Sequence, residues 1–123
     1  MISYAVMTRA PDNFSCMDGL LGQVGIAGVP SDTVMKKTDT IMDDWTPNWN
    51  CQFEFPLMLP EIALLRVEVH EYDQTGRDDF AGQTCLPVCE LKTGFRCLQL
   101  FDKRGDPYAG VRLLVLIEMV PQM

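Results

Sequence analysis

Apolar and polar residues alternate with period two along most of the chain. In CQFEFPLML, Phe53, Phe55, Leu57 and Leu59 fall on one face and Gln52, Glu54, Pro56 and Met58 on the other, the pattern of a half-buried strand. The run that follows puts Leu65, Val67 and Val69 inward and Arg66, Glu68 and His70 outward, as in an antiparallel sheet with one solvated face. These two strands are expected to pair, with Pro60, which has no N–H for a ladder, marking the connection.

Residues 23–28, 35–38, 83–88, 95–101 and 111–120 read as further strands, and turn-forming residues separate them: Gly28 to Pro30, Asp43 to Pro47, Thr75 to Gly76, and Lys103 to Pro107 with Gly105. Residues 90–93 are compatible with a single helical turn before Gly94; no longer segment has a 3.6-residue period. Seven or eight short strands predict an all-β, antiparallel β-sandwich. The N-terminal 23 residues are the irregular part. Ile2, Tyr4 and Val6 alternate and could supply a first strand, whereas residues 13–23, with Gly19 and Gly22, read as a loop. Residues 24–123 then carry the sandwich.

A chain of 123 residues has room for one domain, and a (β/α)₈ catalytic barrel alone needs about 250 residues. Apolar residues make up 47% of it and charged residues 22%, enough to bury a core. Ten Lys and Arg against 17 Asp and Glu give a net charge of −7, which argues against nucleic acid as a partner. The most apolar stretch, residues 111–120, is interrupted by Arg112 and Glu118 and falls short of the ~20 residues of a membrane-spanning helix. The first residues have no basic, then continuously apolar, signal pattern, so the five cysteines are expected as reduced cytosolic thiols.

The segment with most chemistry is VHEYDQTGRDDFAG, residues 69–82. Glu71, Asp73, Asp78 and Asp79 lie at a strand end and in the loop after it, where carboxylates repel one another unless a cation sits among them. Calcium suits such a set, because it takes 6–8 oxygen ligands in a forgiving geometry whereas magnesium demands a strict octahedron. The spacing is not that of an EF-hand loop. Asp and Gly also favour turns without any metal, so a solvated turn is the competing account.

The order acid71, x, Asp73, five residues, Asp79, two residues, Gly82 resembles the third calcium-binding loop of C2 domains. In KKTDTIMDDWTPNWNCQFEF, residues Pro47, Trp49, Asn50, Phe53 and Phe55 match a C2 segment that leads into a strand. VGIAGVPSDTVMKKT, FEFPL, PEIALLRVEVHEYD, DDFAGQTCLPV and VRLLVLIEMV resemble the C-terminal C2 domain of plant phosphoinositide-specific phospholipase C. The resemblance runs from about Val24 to Val120. The N-terminus departs from it: Pro11, Asp12 and Phe14 match an early loop, but residues 15–23 intervene before the strand. Asp12 and Asp18 are candidate ligands there, and the catalytic barrel has no counterpart.

The resemblance implies an eight-stranded C2 sandwich binding calcium through Glu71, Asp73, Asp78, Asp79 and Asp12, peripheral on the plasma membrane from the cytoplasmic side, with anionic phospholipid as partner and no catalytic residue of its own. Lys36, Lys37 and Arg66 would form a basic patch for phosphoinositide head groups, with Arg77 approaching them from the loop; an ordinary solvated strand face is the alternative. A calcium-independent protein-interaction module, or a non-catalytic fragment of the phospholipase, is the competing function. His70, the single histidine, has nothing to orient it for catalysis. Cys85 and Cys89 are expected as buried thiols rather than zinc ligands, Trp45 and Trp49 as packing residues, and Phe14, Leu20 and Leu21 either as loop tips dipping into a bilayer or as core.

Overall fold

A computed structural model describes residues 2–7, 19–42, 49, 51–72 and 78–119. Eight strands follow in order: β1 (Ile2–Met7), β2 (Gly19–Ala27), β3 (Val34–Lys37), β4 (Ile41–Met42), β5 (Leu64–Tyr72), β6 (Asp78–Pro87), β7 (Gly94–Phe101) and β8 (Pro107–Ile117). Single 3₁₀ turns at Pro60–Ile62 and Val88–Glu90 precede β5 and follow β6.

All pairings among these strands are antiparallel, in the order β1-β8-β7-β6-β5-β2-β3, with β4 also on β2. The ladders β2–β5, β5–β6 and β7–β8 run nearly the length of their strands. β6 and β7 meet only at Gln83 and Phe101. That narrow seam lets the ribbon fold into two leaves, β3-β2-β5-β6 and β7-β8-β1, which close on each other as a β-sandwich.

Alternation supplies the core. Leu20, Val24 and Ile26 of β2, Leu65, Val67 and Val69 of β5, Ala81 of β6, Leu98 and Leu100 of β7, and Leu113, Val115 and Ile117 of β8 are buried in one cluster, joined by Trp49, Ala63 and Val88. The Trp49 indole N–H, buried with its ring, donates to the Leu20 carbonyl at 3.0 Å, which satisfies the polar end of an otherwise apolar group. Gly25 has a steric reason: a Cβ there would strike the Val34 carbonyl oxygen and the Met35 side chain on β3.

Several expectations need correction. Residues 51–57 keep their alternation, with Phe53, Phe55 and Leu57 half-buried against the core, but Leu59, expected on the same face, is 46% exposed where the chain turns into the 3₁₀ segment, and the run forms no ladder with β5. Both edges of β5 are already taken by β2 and β6, and Pro56 cannot donate. Residues 19–23 are strand rather than loop, because Gly19 and Leu20 pair with Tyr72 and Glu71 on one side and with Met42 and Ile41 on the other. Leu20 and Leu21 are accordingly each 3% exposed, core rather than bilayer-dipping tips. The short helical turn falls at Val88–Glu90, ahead of its expected place. Cys85 and Cys89 are exposed thiols, not buried ones, since Cys85 pairs across to Arg66 on the solvated face of the leaf and Cys89 lies in the 3₁₀ turn. Trp45 and Phe14 lie outside the described residues.

Candidate functional site

Register brings the ends of four strands together. Gly19 opens β2 opposite Tyr72, the last residue of β5; Met42, the last of β4, sits on the other side of Gly19; and Asp78, the first of β6, faces Tyr72. The described chain therefore breaks off at Met42 and Tyr72 and resumes at Gly19 and Asp78 at this end of the β2 leaf. The opposite end carries the turns at residues 28–33 and 58–63, where Ala27 pairs with Leu64.

A bulge sets the acidic pair. From Leu64 to Val69 the β5–β6 ladder keeps one register, ending with Val69 opposite Gly82; the next pair is His70 opposite Phe80, so Ala81 is the extra residue. An unbroken register would place Phe80 opposite Glu71. The bulge instead sets Asp79 there, with Asp78 opposite Tyr72. Glu71 continues the inward row of Val67 and Val69 and is half-buried, next to Leu20 of β2. Two carboxylate residues directly opposite each other on neighbouring strands destabilise a sheet unless a cation joins them, and bulges concentrate where a side chain has to be re-aimed next to a site.

Asp78 and Asp79 are thus the first residues of β6 and not loop residues, as their place after the strand had suggested. Asp12, Asp73 and Arg77 lie outside the described residues, and Asp78 and Asp79 are described in backbone only. Among the described residues no three of His, Cys, Asp and Glu gather closely enough to hold a metal. The fit to calcium rests on donor chemistry: hard carboxylate oxygens, two of them from residues paired across the hairpin, suit a hard cation.

The three basic residues of the expected patch are divided. Lys36 belongs to the row of Val24, Val67 and Thr84, the inward side of the edge strand; its ammonium donates to the Glu54 carbonyl at 3.1 Å and lies 5.2 Å from the centre of the Phe55 ring. Lys37 and Arg66 share the opposite, solvated face, on β3 and β5. Arg66 donates to Glu68 Oε1 at 3.1 Å, and His70 Nε2 contacts the other oxygen of Glu68 at 3.1 Å. The outward row of β5 is therefore an Arg–Glu–His chain. The His70 ring packs edge-on to Phe80, 6.0 Å between centres. The spacing of two along a strand makes this row legible in sequence; the contacts are not.

Two features have no sequence signal. Asp32 is 3% exposed, and its carboxylate accepts the backbone N–H groups of Met58 and Leu59 at 2.8 and 2.9 Å. Its role is to hold the turn at the end away from the acidic pair. Tyr108 is the second: burial, and then the nearby Asp102 carboxylate, push its phenol above the ordinary value of 10.0.

A family model described as C2 domain matches residues 16–103. The chain belongs to the C2 domain family. This C2 domain is 60% identical over 98 residues to phosphoinositide phospholipase C 2 of Arabidopsis thaliana, covering 80% of the chain and 17% of that relative. It is 53% identical over 109 residues to phosphoinositide phospholipase C 4 of the same plant, covering 89% and 18%. The C2 domain thus spans under a fifth of the length of these relatives. Among solved structures it superposes on L. pealei PLC21 with a TM-score of 0.70 and 22% identity, covering 94% of this chain and 15% of that one. A C2 domain of plant extended synaptotagmin 1 matches with a TM-score of 0.69 and 15% identity, covering 99% of both chains. Both confirm the sandwich. No helix among the described residues is long and apolar enough to cross a membrane.

Proposed function

We propose that this C2 domain is a calcium-dependent phospholipid-binding module of phosphoinositide signalling, cytoplasmic and peripheral on the plasma membrane, in which the acidic end of the sandwich meets anionic lipid. It resembles the non-catalytic C2 part of phosphoinositide phospholipase C and would dock such an enzyme without supplying its hydrolysis. The observation that carries this reading is the bulge at Ala81, which sets Asp79 opposite Glu71.

Glu71 and Asp79, with Asp73, Asp78 and Asp12, would hold the ion. Bound calcium supplies positive charge and coordination positions open to lipid phosphate oxygens. Without it, the carboxylates repel an anionic surface within a Debye length of about 8 Å. The β2, β5 and β6 ladders fix the pair to the rigid body of the sandwich, so little ordering entropy is lost on binding. Arg77 would approach head groups from the same hairpin, whereas Lys37 and Arg66 lie on the solvated face of the leaf and Lys36 is turned toward Phe55.

Co-sedimentation with vesicles of phosphatidylcholine and phosphatidylserine, in calcium and in chelator, tests this. The chain is expected to pellet in calcium only, and E71Q and D79N to lose the response. Equal pelleting in both conditions, or an unchanged response in the double variant, would overturn the calcium reading in favour of a calcium-independent interaction module.

A further inference from the structure

The end of the sandwich away from the acidic pair is apolar. Val34 opens β3 opposite Ile26, Leu64 opens β5 opposite Ala27, and Met58, Leu59 and Ile62 lie in the turn ahead of β5. Across the same end, where Gly94 pairs with Ile117, Phe95 lies one residue into β7 and Met119 two residues past β8. These are all the exposed large hydrophobic residues among those described, from 37% to 76% exposed. A turn is ordinarily polar. This one is fastened by its backbone: the Asp32 carboxylate accepts the Met58 and Leu59 N–H groups, the Ile62 N–H donates to the Leu59 carbonyl at 3.3 Å, and the Val88 N–H donates to the Ala63 carbonyl at 2.9 Å. The Met58 and Ile62 side chains are left to the solvent.

Area and charge decide what fits there. At about 150–200 Å² for a fully exposed large apolar residue, these fractions leave roughly 600 Å² of apolar surface at one end, the top of the range for the largest patch on a monomer. Two such ends in contact bury about 1,200 Å², the lower bound for a stable specific interface. The charges at this end come close to balance although the chain carries −7: Glu61, Glu90 and Glu118 are exposed, and so are Lys92 and Arg96. A second copy therefore meets no strong like-charge field. An anionic bilayer finds no excess of cations to hold it, and a copy seated by its acidic end keeps this end the length of β2 away, roughly 27 Å at the rise of an extended strand.

We infer that two copies of this chain associate end to end through this apolar surface, as a closed pair about a two-fold axis. A patch that meets its own copy closes on itself and does not propagate into a fibre. Because backbone bonds already order the turn, little chain entropy is lost on pairing. The pair holds its two acidic ends facing away from each other. Where calcium seats each of them on anionic lipid, one pair joins two membranes; that consequence rests on the calcium reading above, and the self-association does not.

Sedimentation velocity in chelator tests the pairing with no lipid present. Wild type should pass from monomer to dimer as its concentration rises through roughly 10 μM, the weak end of the μM-to-pM range for interfaces of such area. M58E and I62E should each weaken the pair about 30-fold, the loss typical of a central contact, and M58L and I62V should pair as wild type. Both side chains are mostly exposed in the single copy, so the variants keep the fold, checked by circular dichroism. In calcium, wild type should cluster vesicles of phosphatidylcholine and phosphatidylserine, read by light scattering, while M58E/I62E pellets with them and leaves them dispersed. Wild type still monomeric at about twenty times that concentration, or a double variant that pairs as wild type does, overturns the inference and leaves the calcium reading standing. Pelleting in chelator that M58E/I62E abolishes would replace the second copy with a bilayer. A dimer that pellets in calcium without clustering vesicles would overturn the end-to-end arrangement. A dimer that M58E/I62E disrupts, with no calcium response, would support the pairing and remove only the calcium reading.

Discussion

Asp32 offers the sharpest separation of scaffold from site. Its buried carboxylate accepts two backbone N–H groups, from Met58 and Leu59, at 2.8 and 2.9 Å, and so fastens the 58–62 turn to the turn that joins β2 to β3. Alanine removes both acceptors. Hydrogen bonds to a charged partner contribute about 1.5–3 kcal/mol each. Met58 is 76% exposed, so water can reach the freed donors, and the low end of that range applies. Asp32→Ala should then cost about 3 kcal/mol, and Asp32→Asn, which keeps one acceptor oxygen, about half of that. For a domain of this size the alanine variant should melt roughly 10–15 °C lower. Urea unfolding followed by tryptophan fluorescence, with scanning calorimetry alongside, gives both numbers. The site itself should be untouched: Asp32 lies past the Ala27 end of β2, while the acidic pair lies at the Gly19 end, about 27 Å away at ~3.4 Å per residue. Folded D32A should keep the calcium response of vesicle binding. An Asp32→Ala variant within about 0.5 kcal/mol of wild type would refute the assigned role of the carboxylate, because a change that small is typical of a surface position.

Further outcomes follow from the same geometry. Asp79→Asn removes one of two opposed carboxylates, so in chelator it should raise stability by about 0.2–1 kcal/mol, and in calcium it should lose most of the ligand-induced gain, which for wild type reaches ~2.7 kcal/mol at a hundredfold excess over Kd; melting curves with and without calcium read both signs. Gly25→Ala must push β3 away from β2 to relieve the collision with the Val34 carbonyl, and amide exchange should accelerate at residues 34–37 before it does in β5. Tyr108 has its folded phenol raised above 10.0, so its contribution to stability is complete below about pH 10 and is lost as pH rises through the folded value. Tyr108→Phe should fall less steeply than wild type in alkaline unfolding curves above that pH, and identical curves would refute the shift.

The sandwich was legible because its strands speak through a local rule. Leu65, Val67 and Val69, or Leu113, Val115 and Ile117, announce their burial by alternation alone, and the structure places all six in one core. Residues 51–59 show the limit of that rule. Their alternation holds as far as Leu57, and Phe53 and Phe55 do face the core, but alternation reports a buried face, not a hydrogen-bonded neighbour, and β2 and β6 had already filled the edges of β5. Residues 19–23 failed for the converse reason. Gly19 and Gly22 weaken any local strand signal, and what makes them strand is pairing with β4 and β5, contacts far away in sequence.

The acidic end divides along the same line. That Glu71 and Asp79 belong to one cluster follows from their nearness in sequence, and any hairpin through residues 73–77 brings them close. Whether they oppose each other depends on a single residue of slippage. With Val69 opposite Gly82, an unbroken ladder puts Phe80 across from Glu71 and moves Asp79 to the solvated neighbour of that pair. Ala81, 1% exposed in the bulge, corrects this, because the core claims a small apolar residue at that point and shifts everything beyond it by one. The residue looped out at Ala81 therefore sets the electrostatics at the rim: left out of the ladder it keeps Asp79 opposite Glu71, whereas pairing Ala81 with His70 would slide Phe80 opposite Glu71 and separate the acids while leaving every one of them in the sequence.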